Sequence, residues 1–324
     1  IQSDACPFPP PEEIVTTILE EDPAWQAECV MLLRARNHLR DWLTAGEDRG
    51  HGSEQAPHPD PGRDAEGDED APPPTPSASE VFSPALIEHF EAATPTAQRR
   101  IADVRALVRH ALRHWPSGRP LRILQLGIAS GGLTRALVPL LEEARARHVR
   151  PHLVVADTSE SRVSRLSALY IRSPGIDVVH VDATLETLEA FAPFDLVVSA
   201  GGLHGLDNVP ALLGNLAGHL AEGAIAAVSE NVPSAFHDVI FAGTRGWFDT
   251  GLVDGVARGR LRDRDHWSAL LEDAGLVREA PDTDLILARF RPGDLPRPAT
   301  DEIEQHAPAS GEPDTAPMPR PPPV

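Results

Sequence analysis

From residue 121 onward short apolar runs alternate with longer stretches of helical periodicity. The runs are "LRILQLG" (121–127), "HLVVAD" (152–157), "IDVVHVD" (176–182), "FDLVVSAG" (194–201) and "AIAAVSE" (224–230), and "DLILARF" (284–290) closes the series. Apolar and polar residues do not alternate strictly in them, so both faces of the resulting strands must be covered. Strand and helix repeats of this kind close into a mostly parallel sheet with helices on both sides, the α/β class. Two helical stretches carry their own stop signals. "VPALLGNLAGHLAEG" ends at Gly223 and "DRDHWSALLEDAG" at Gly275, where glycine takes the left-handed C-terminal turn most readily. Trp267, in the second of them, is expected in the core.

In an open parallel sheet, ligands bind beyond the carboxyl ends of the strands, near the point where strand order reverses. Those ends carry glycines, acids and a base. Gly127, Gly131 and Gly132 follow the first run, Asp157 ends the second, Asp182 ends the third, His204 follows the fourth and Glu230 ends the fifth. Glycines let a backbone approach a ligand, and an acid after the second strand can accept two hydrogen bonds from ribose hydroxyls. Together they describe an adenosine site. Each acid also has a local reading: Asp157 before "SESRVSRL" can cap a helix, and Asp182 can cap or turn the chain. A nicotinamide dehydrogenase shares such a half-sheet, but its G-x-G-x-x-G fingerprint is matched only in part, because Ala129 stands where the middle glycine belongs. The short-chain type also needs a Tyr and Lys pair, and this chain has Tyr170 alone and no Lys.

The flanking regions differ in composition. "PPEEIVTTILEEDPAWQAECVMLLRARNHLRDWL" places Ile14, Ile18, Trp25, Cys29, Leu32 and Leu33 at helical spacings, with Pro23 dividing two helices. Residues 1–44 are therefore expected to be a helical lid. Residues 45–80 hold ten acids, two Arg and no aromatic residue, and 291–324 hold ten Pro. Neither can bury enough apolar surface to offset the entropy of ordering it, so both are expected as linkers around a core at 81–290. Their net charges, -8 and -3 by count, make up about half of the chain's -20. The acidity thus belongs mainly to connectors, and with no basic stripe, nucleic acid is not an expected partner.

No run of eighteen apolar residues occurs, so no membrane span is expected. Cys6 and Cys29 are too few for a disulfide framework or a zinc cluster, which points to a reducing cytoplasmic setting without a metal; Cys29 is expected to be a buried helix residue. A start at Ile1 and an end in "MPRPPPV" are what a unit within a longer polypeptide would have.

"ILQLGIASGG", "ADTSES", "FDLVVSAGGLH" and "LAEGAIAAVSE" resemble, in that order, the motifs of class I methyltransferases dependent on S-adenosylmethionine (SAM). "GTRGWFDT" and "LRDRDHWSALLEDAGL" are similar to later segments of the C-methyltransferase domains embedded in modular polyketide synthases. The resemblance covers residues 82–290 and implies a Rossmann-like class I methyltransferase fold with a mostly parallel seven-stranded sheet. It implies SAM as the cofactor, held by Gln125, Gly127, Ala129, Gly131, Asp157, Asp182, Ala183 and Ala200, with His204 and Glu230 as the catalytic pair. It also implies methylation of the α-carbon of a β-ketoacyl thioester on an acyl carrier protein, neighbouring polyketide synthase domains as partners, and Trp247 and Phe248 along the substrate channel.

The chemistry agrees with that pairing, since a carboxylate beside an imidazole holds its tautomer and favours the imidazolium formed when it takes a proton. Two positions depart from the family pattern. Gln125 replaces an acid, which removes charge attraction to an ammonium, and Ala129 adds a methyl where bare backbone is usual. Besides the carbon methyltransferase, an inactive pseudo-methyltransferase serving as a structural module and an O-methyltransferase stay open.

Overall fold

The computed structural model describes residues 9–47, 75–248, 252–253, 256–257, 259–279 and 285–292. Cys6, most of the expected acidic linker and the proline-rich tail from 293 onward lie outside the described residues. The ends of the 45–80 segment carry regular structure, a helix reaching Glu47 and another starting at Ala78.

Five parallel strands, β1 (Pro120–Leu126), β2 (Arg150–Asp157), β3 (Ile176–His180), β4 (Phe194–Ala200) and β5 (Leu220–Ser229), match the five apolar runs. A two-stranded ribbon, β6 (Leu252–Val253) and β7 (Val256–Ala257), stands apart from them. β8 (Leu276–Arg278) and β9 (Ile286–Phe290) complete a seven-stranded sheet in the order β3-β2-β1-β4-β5-β9-β8, with β9 antiparallel to both of its neighbours. The three-residue β8 has too short an apolar pattern to be read without the pairing that β9 supplies. The chain runs outward from β1 through β2 to β3, then returns to β4 on the other side of β1. That reversal opens a crevice at the carboxyl ends of β1 and β4.

The lack of alternation has a direct structural cause. Along β1, Leu124 and Leu126 join a core under Leu212 and Trp267, while Leu121 and Ile123 join a second core with Val104 and Leu137. Both faces of the strand are thus apolar because both are covered. On the N-terminal side, α1 (Pro11–Glu21) ends where Asp22 and Pro23 open a short turn, and α2 (Gln26–Arg36) and α3 (Leu39–Glu47) follow. α4 (Ala78–Val81), α5 (Pro84–Ala92) and α6 (Pro95–His114) lead into β1; α7 (Gly132–Ala146), α8 (Glu160–Tyr170) and α9 (Val209–Leu216) come between the parallel strands. α10 (Ala235–Phe241) and α11 (Arg264–Asp273) follow β5.

A third core joins the N-terminal helices to the rest: Met31, Ala35, Trp42, Phe82 and Phe90 close around Ile240 of α10. Full burial of each large side chain contributes roughly 1.5–3 kcal/mol. The indole N–H of Trp42 donates to the Pro76 carbonyl, and the Ala78 N–H donates to the Gly243 carbonyl at 3.1 Å. α1 contributes no buried residue; Ile14, Ile18 and Trp25 are 40%, 38% and 37% exposed. The docking therefore rests on α2, where Cys29 is buried, and not on α1.

Candidate active site

β4 and β5 lie side by side with Ala200 opposite Ser229. Glu230 follows directly, and Gly201, at φ +69°, turns the other strand into a short helical turn, Leu203–Gly205, that carries His204. Parallel pairing thus brings together two residues that lie far apart in sequence. Glu230 Oε2 accepts the hydrogen of His204 Nδ1 at 3.0 Å, and Oε1 accepts from the Ser199 hydroxyl (3.0 Å) and from the backbone N–H groups of Gly202 and Leu203 (2.9 Å each). Because an ionised carboxylate only accepts, Nδ1 carries the hydrogen, and in the neutral imidazole Nε2 has the lone pair.

Side-chain exposure is 2% for Glu230 and 18% for His204, so the acid is enclosed and the imidazole reaches open space. Burial pushes the Glu230 carboxyl up, but the His204 hydrogen bond and charge, together with the Leu203 and Ser199 donors, outweigh it and hold the group below the usual range.

The glycine turn is built differently. Gln125 is fully buried; its amide donates to the Gly127 carbonyl at 3.1 Å and accepts from the Thr134 hydroxyl at 2.9 Å, tying the loop to α7. Gly127 lies so close to Gly202 that a Cβ there would meet the Gly202 carbonyl at 2.4 Å. Its need for glycine therefore comes from one strand end packing on the next. Ala129 sits at φ +47°, the left-handed region that glycine fills without strain, and Gly131 at φ +78°. Ser130 Oγ is buried with no partner.

Asp157 is fully enclosed, with Oδ2 on the Ile128 N–H (2.7 Å) and Oδ1 on the Ser159 N–H (2.8 Å). The Arg162 guanidinium covers what is left, with Nη2 on Oδ1 at 2.8 Å and Nε 3.2 Å from Oδ2. The same Nη2 donates to the Gly205 carbonyl at 2.9 Å, which bridges β2 to the turn that carries His204. Ser159, not Asp157, caps α8. Asp182 is exposed and folded on Thr184, taking its N–H at 2.9 Å and its hydroxyl at 2.6 Å, and these bonds hold its carboxyl below the ordinary value. Ala183 and Ala200 are half-buried nearby, and the Ala183 carbonyl accepts from Asn215.

Apart from a cavity of about 380 Å³ lined by His204 with Leu206, Arg245 and Arg260, two others are lined by residues that touch this rim. One, of about 390 Å³, is lined by Ile128, Ala129, Ser130, Arg162 and Glu91. The other, of about 340 Å³, lies under the N-terminal helices and is lined by Trp25, Leu32, Phe90, Arg100, Asn231 and His237. Glu91 lines the first of these: burial pushes its carboxyl up against the pull of His204, Arg162, Arg165 and Arg100. Trp247 is 3% exposed, with its indole N–H donating to Asp238 at 3.0 Å and its ring against Phe241, so it supports α10; Phe248 is half-buried beside it. Arg100, Arg162, Asn231 and His237 were not legible as site residues. They lie on helices or just past a strand, and only the fold turns them inward.

No family model matches the chain. Similar solved structures are the CMeT domain of the citrinin polyketide synthase (17% identity, TM-score 0.64, covering 86% of this chain and 69% of that one) and the CurJ carbon methyltransferase (17%, 0.60, 89% and 75%). The DszA carbon methyltransferase is alike at 18% identity and TM-score 0.60, covering 86% of this chain and 69% of that one. The chain shares the fold of these three structures. By sequence, the chain is 25% identical over 166 residues to the non-reducing polyketide synthase Preu3 of Preussia isomera, a match that spans 51% of this chain and 6% of that protein. Within this fold, the crevice between β1 and β4 and the His204–Glu230 pair fall on one rim.

Proposed function

We propose that the chain is a SAM-dependent C-methyltransferase domain of a polyketide synthase, acting on the α-carbon of a β-ketoacyl thioester carried by an acyl carrier protein. The observation that carries this reading is the His204–Glu230 pair, with Nδ1 engaged at 3.0 Å and Nε2 left as a base. His204 Nε2 removes the α-hydrogen, which is acidic because the electron pair left behind is shared with two carbonyls. Glu230 holds the tautomer and balances the imidazolium. When bound, SAM would supply an electrophilic methyl for the α-carbon, and His204 would pass the proton it has taken to solvent. Positioning and the exclusion of water under the N-terminal helices supply the rest.

The loop fits an adenosine-bearing ligand in two respects, a cavity of about 390 Å³ and the unpartnered Ser130 hydroxyl. Asp157 is the candidate for the ribose, and Arg162 must leave it first. Gln125 acts by holding the loop and Ala129 lines the cavity, while Gly127, Gly131, Asp182, Ala183 and Ala200 are assigned to the cofactor by the resemblance. The engaged Asp157 also favours a second reading, a module of this fold that no longer binds SAM and serves as structure. Calorimetric titration with SAM separates the two: binding supports the enzyme, and none at millimolar ligand leaves the structural module. Mass spectrometry of a β-ketoacyl carrier protein then reads one added methyl. An O-methyltransferase would instead modify a hydroxyl substrate that has no acidic α-hydrogen.

A further inference from the structure

The cavity under the N-terminal helices is largely apolar, yet one side of it gathers nitrogen donors that the His204–Glu230 chemistry leaves unused. Arg100 reaches it from α6, Asn231 follows Glu230 in sequence, and His237 faces it from α10. Arg100 Nε is buried without a hydrogen-bond partner. Its guanidinium lies over Gly201, close enough that a Cβ there would be 3.3 Å from Nε, so it sits directly beside the turn that leads to His204. The Arg100 charge is felt by both Glu230 and Glu91.

His237 is set in a ring of aromatic side chains, stacked on Phe241 and met edge-on by Phe90 and Phe236. Ser234 Oγ accepts the His237 backbone N–H at 3.3 Å and lies 2.7 Å from Nδ1; with the hydroxyl donating to Nδ1, the ring N–H is at Nε2. Burial, with the charges of Arg100 and His204 beside it, takes this imidazole down to about 4, which keeps it neutral and a donor at physiological pH.

An orphaned guanidinium N–H in an apolar chamber is costly unless an acceptor arrives with the ligand. We infer that Arg100, Asn231 and His237 form an oxyanion site that grips the carbonyl oxygen of a 1,3-dicarbonyl substrate and holds its negative charge while His204 takes the α-hydrogen. This rests on the reading of His204 as the base. It extends that reading by assigning the substrate's carbonyl face to α6 and α10, and it casts the Arg100 and His237 side chains as catalytic and not as packing. Donors fixed at the place where charge develops, away from water, are the usual source of large rate effects.

Two measurements test it. The first is exchange of the α-hydrogen of acetoacetyl-pantetheine into deuterated water, without SAM. The wild-type chain accelerates exchange, His204→Ala abolishes the acceleration, Arg100→Met and His237→Phe slow it roughly 100-fold, and Arg100→Lys recovers part of the loss. The second is the ultraviolet titration of pentane-2,4-dione bound to the His204→Ala protein. Its enolate forms at lower pH than in buffer, by about one unit, and adding Arg100→Met removes that shift, a change that a purely structural role would not produce once the melting temperature is shown to be kept.

Exchange at wild-type rates in Arg100→Met and His237→Phe, or an unshifted diketone, overturns the oxyanion site while leaving His204 as the base. Weakened SAM binding in Arg100→Met with exchange intact assigns the arginine to the cofactor instead and overturns it as well. No exchange by the wild type, with the diketone still shifted, overturns the proposed reaction and leaves the anion grip standing.

Discussion

Asp157 and Glu230 are both carboxylates enclosed at the end of a parallel strand, and both have their oxygens filled. They differ in what the filling leaves free. Glu230 takes three donors from its own rim and a fourth from His204 Nδ1, and the result is an imidazole whose other nitrogen is available for chemistry. Asp157 takes two backbone N–H groups and the Arg162 guanidinium, and the result is a closed knot with no oxygen left for a ligand. The same residue type in the same topological place is a tool in one case and a fastening in the other. What distinguishes them is the partner: a histidine passes the interaction on, whereas an arginine completes it.

The largest expected effect lies on the Glu230 side. His204→Ala should lower methyl transfer about 1000-fold, measured by mass spectrometry of the carrier-bound product, while SAM affinity stays nearly unchanged. A joint loss of both would mean that the histidine belongs to the cofactor site. The pH dependence has a definite sign. The Glu230 carboxyl is held below its ordinary value in the folded chain, so its contribution to stability is complete above the unfolded carboxylate range and is lost as pH falls through the folded value. Chemical denaturation of Glu230→Gln across acid pH should therefore show a flatter loss of stability than the wild type.

On the Asp157 side, Arg162→Met leaves an enclosed carboxylate without its main partner. It should lower the stability of the free protein by about 3 kcal/mol. If Asp157 is the ribose ligand, the variant should also bind SAM more tightly, on the order of tenfold by calorimetry, because the acid no longer has to be released. Unchanged affinity would identify the Asp157–Arg162 knot as structural and separate the two ends of the rim entirely.

Smaller changes sharpen the contrast inside the glycine turn. Gln125→Glu restores the acid of the family pattern, yet it replaces the N–H on the Gly127 carbonyl by an acceptor. A loss of about 1–3 kcal/mol in urea melts is expected, with no gain in SAM affinity. Ala129→Gly relieves a left-handed backbone and should raise stability by about 1 kcal/mol, a rise of a few degrees in melting temperature.

Much of the architecture was legible because it depends on local pattern. The apolar runs became β1 to β5 and β9, and Pro23 and Gly275 end helices where expected, whereas Gly223 lies within β5, α9 having stopped at Leu216. The short β8 was missed, since three residues carry no periodicity and are held by pairing with β9. The strand ends likewise announced His204 and Glu230, because parallel neighbours place residues after them on one rim whatever the sequence separation. Their partners were not announced. Arg162 lies five residues beyond Asp157 across a turn, and Arg100 lies on a helix far upstream, at spacings that say nothing about the crevice.

The sequence by itself thus determined the layered sheet, the acidic and proline-rich flanks, and the residue types available at each strand end, because burial pattern and composition act locally along the chain. Tertiary structure alone decided which polar atoms stay free. Gln125, Gly127 and Asp157 hold the loop together while His204 keeps an open nitrogen, because that outcome depends on which donors from distant elements reach each acceptor, and only three-dimensional packing sets those distances.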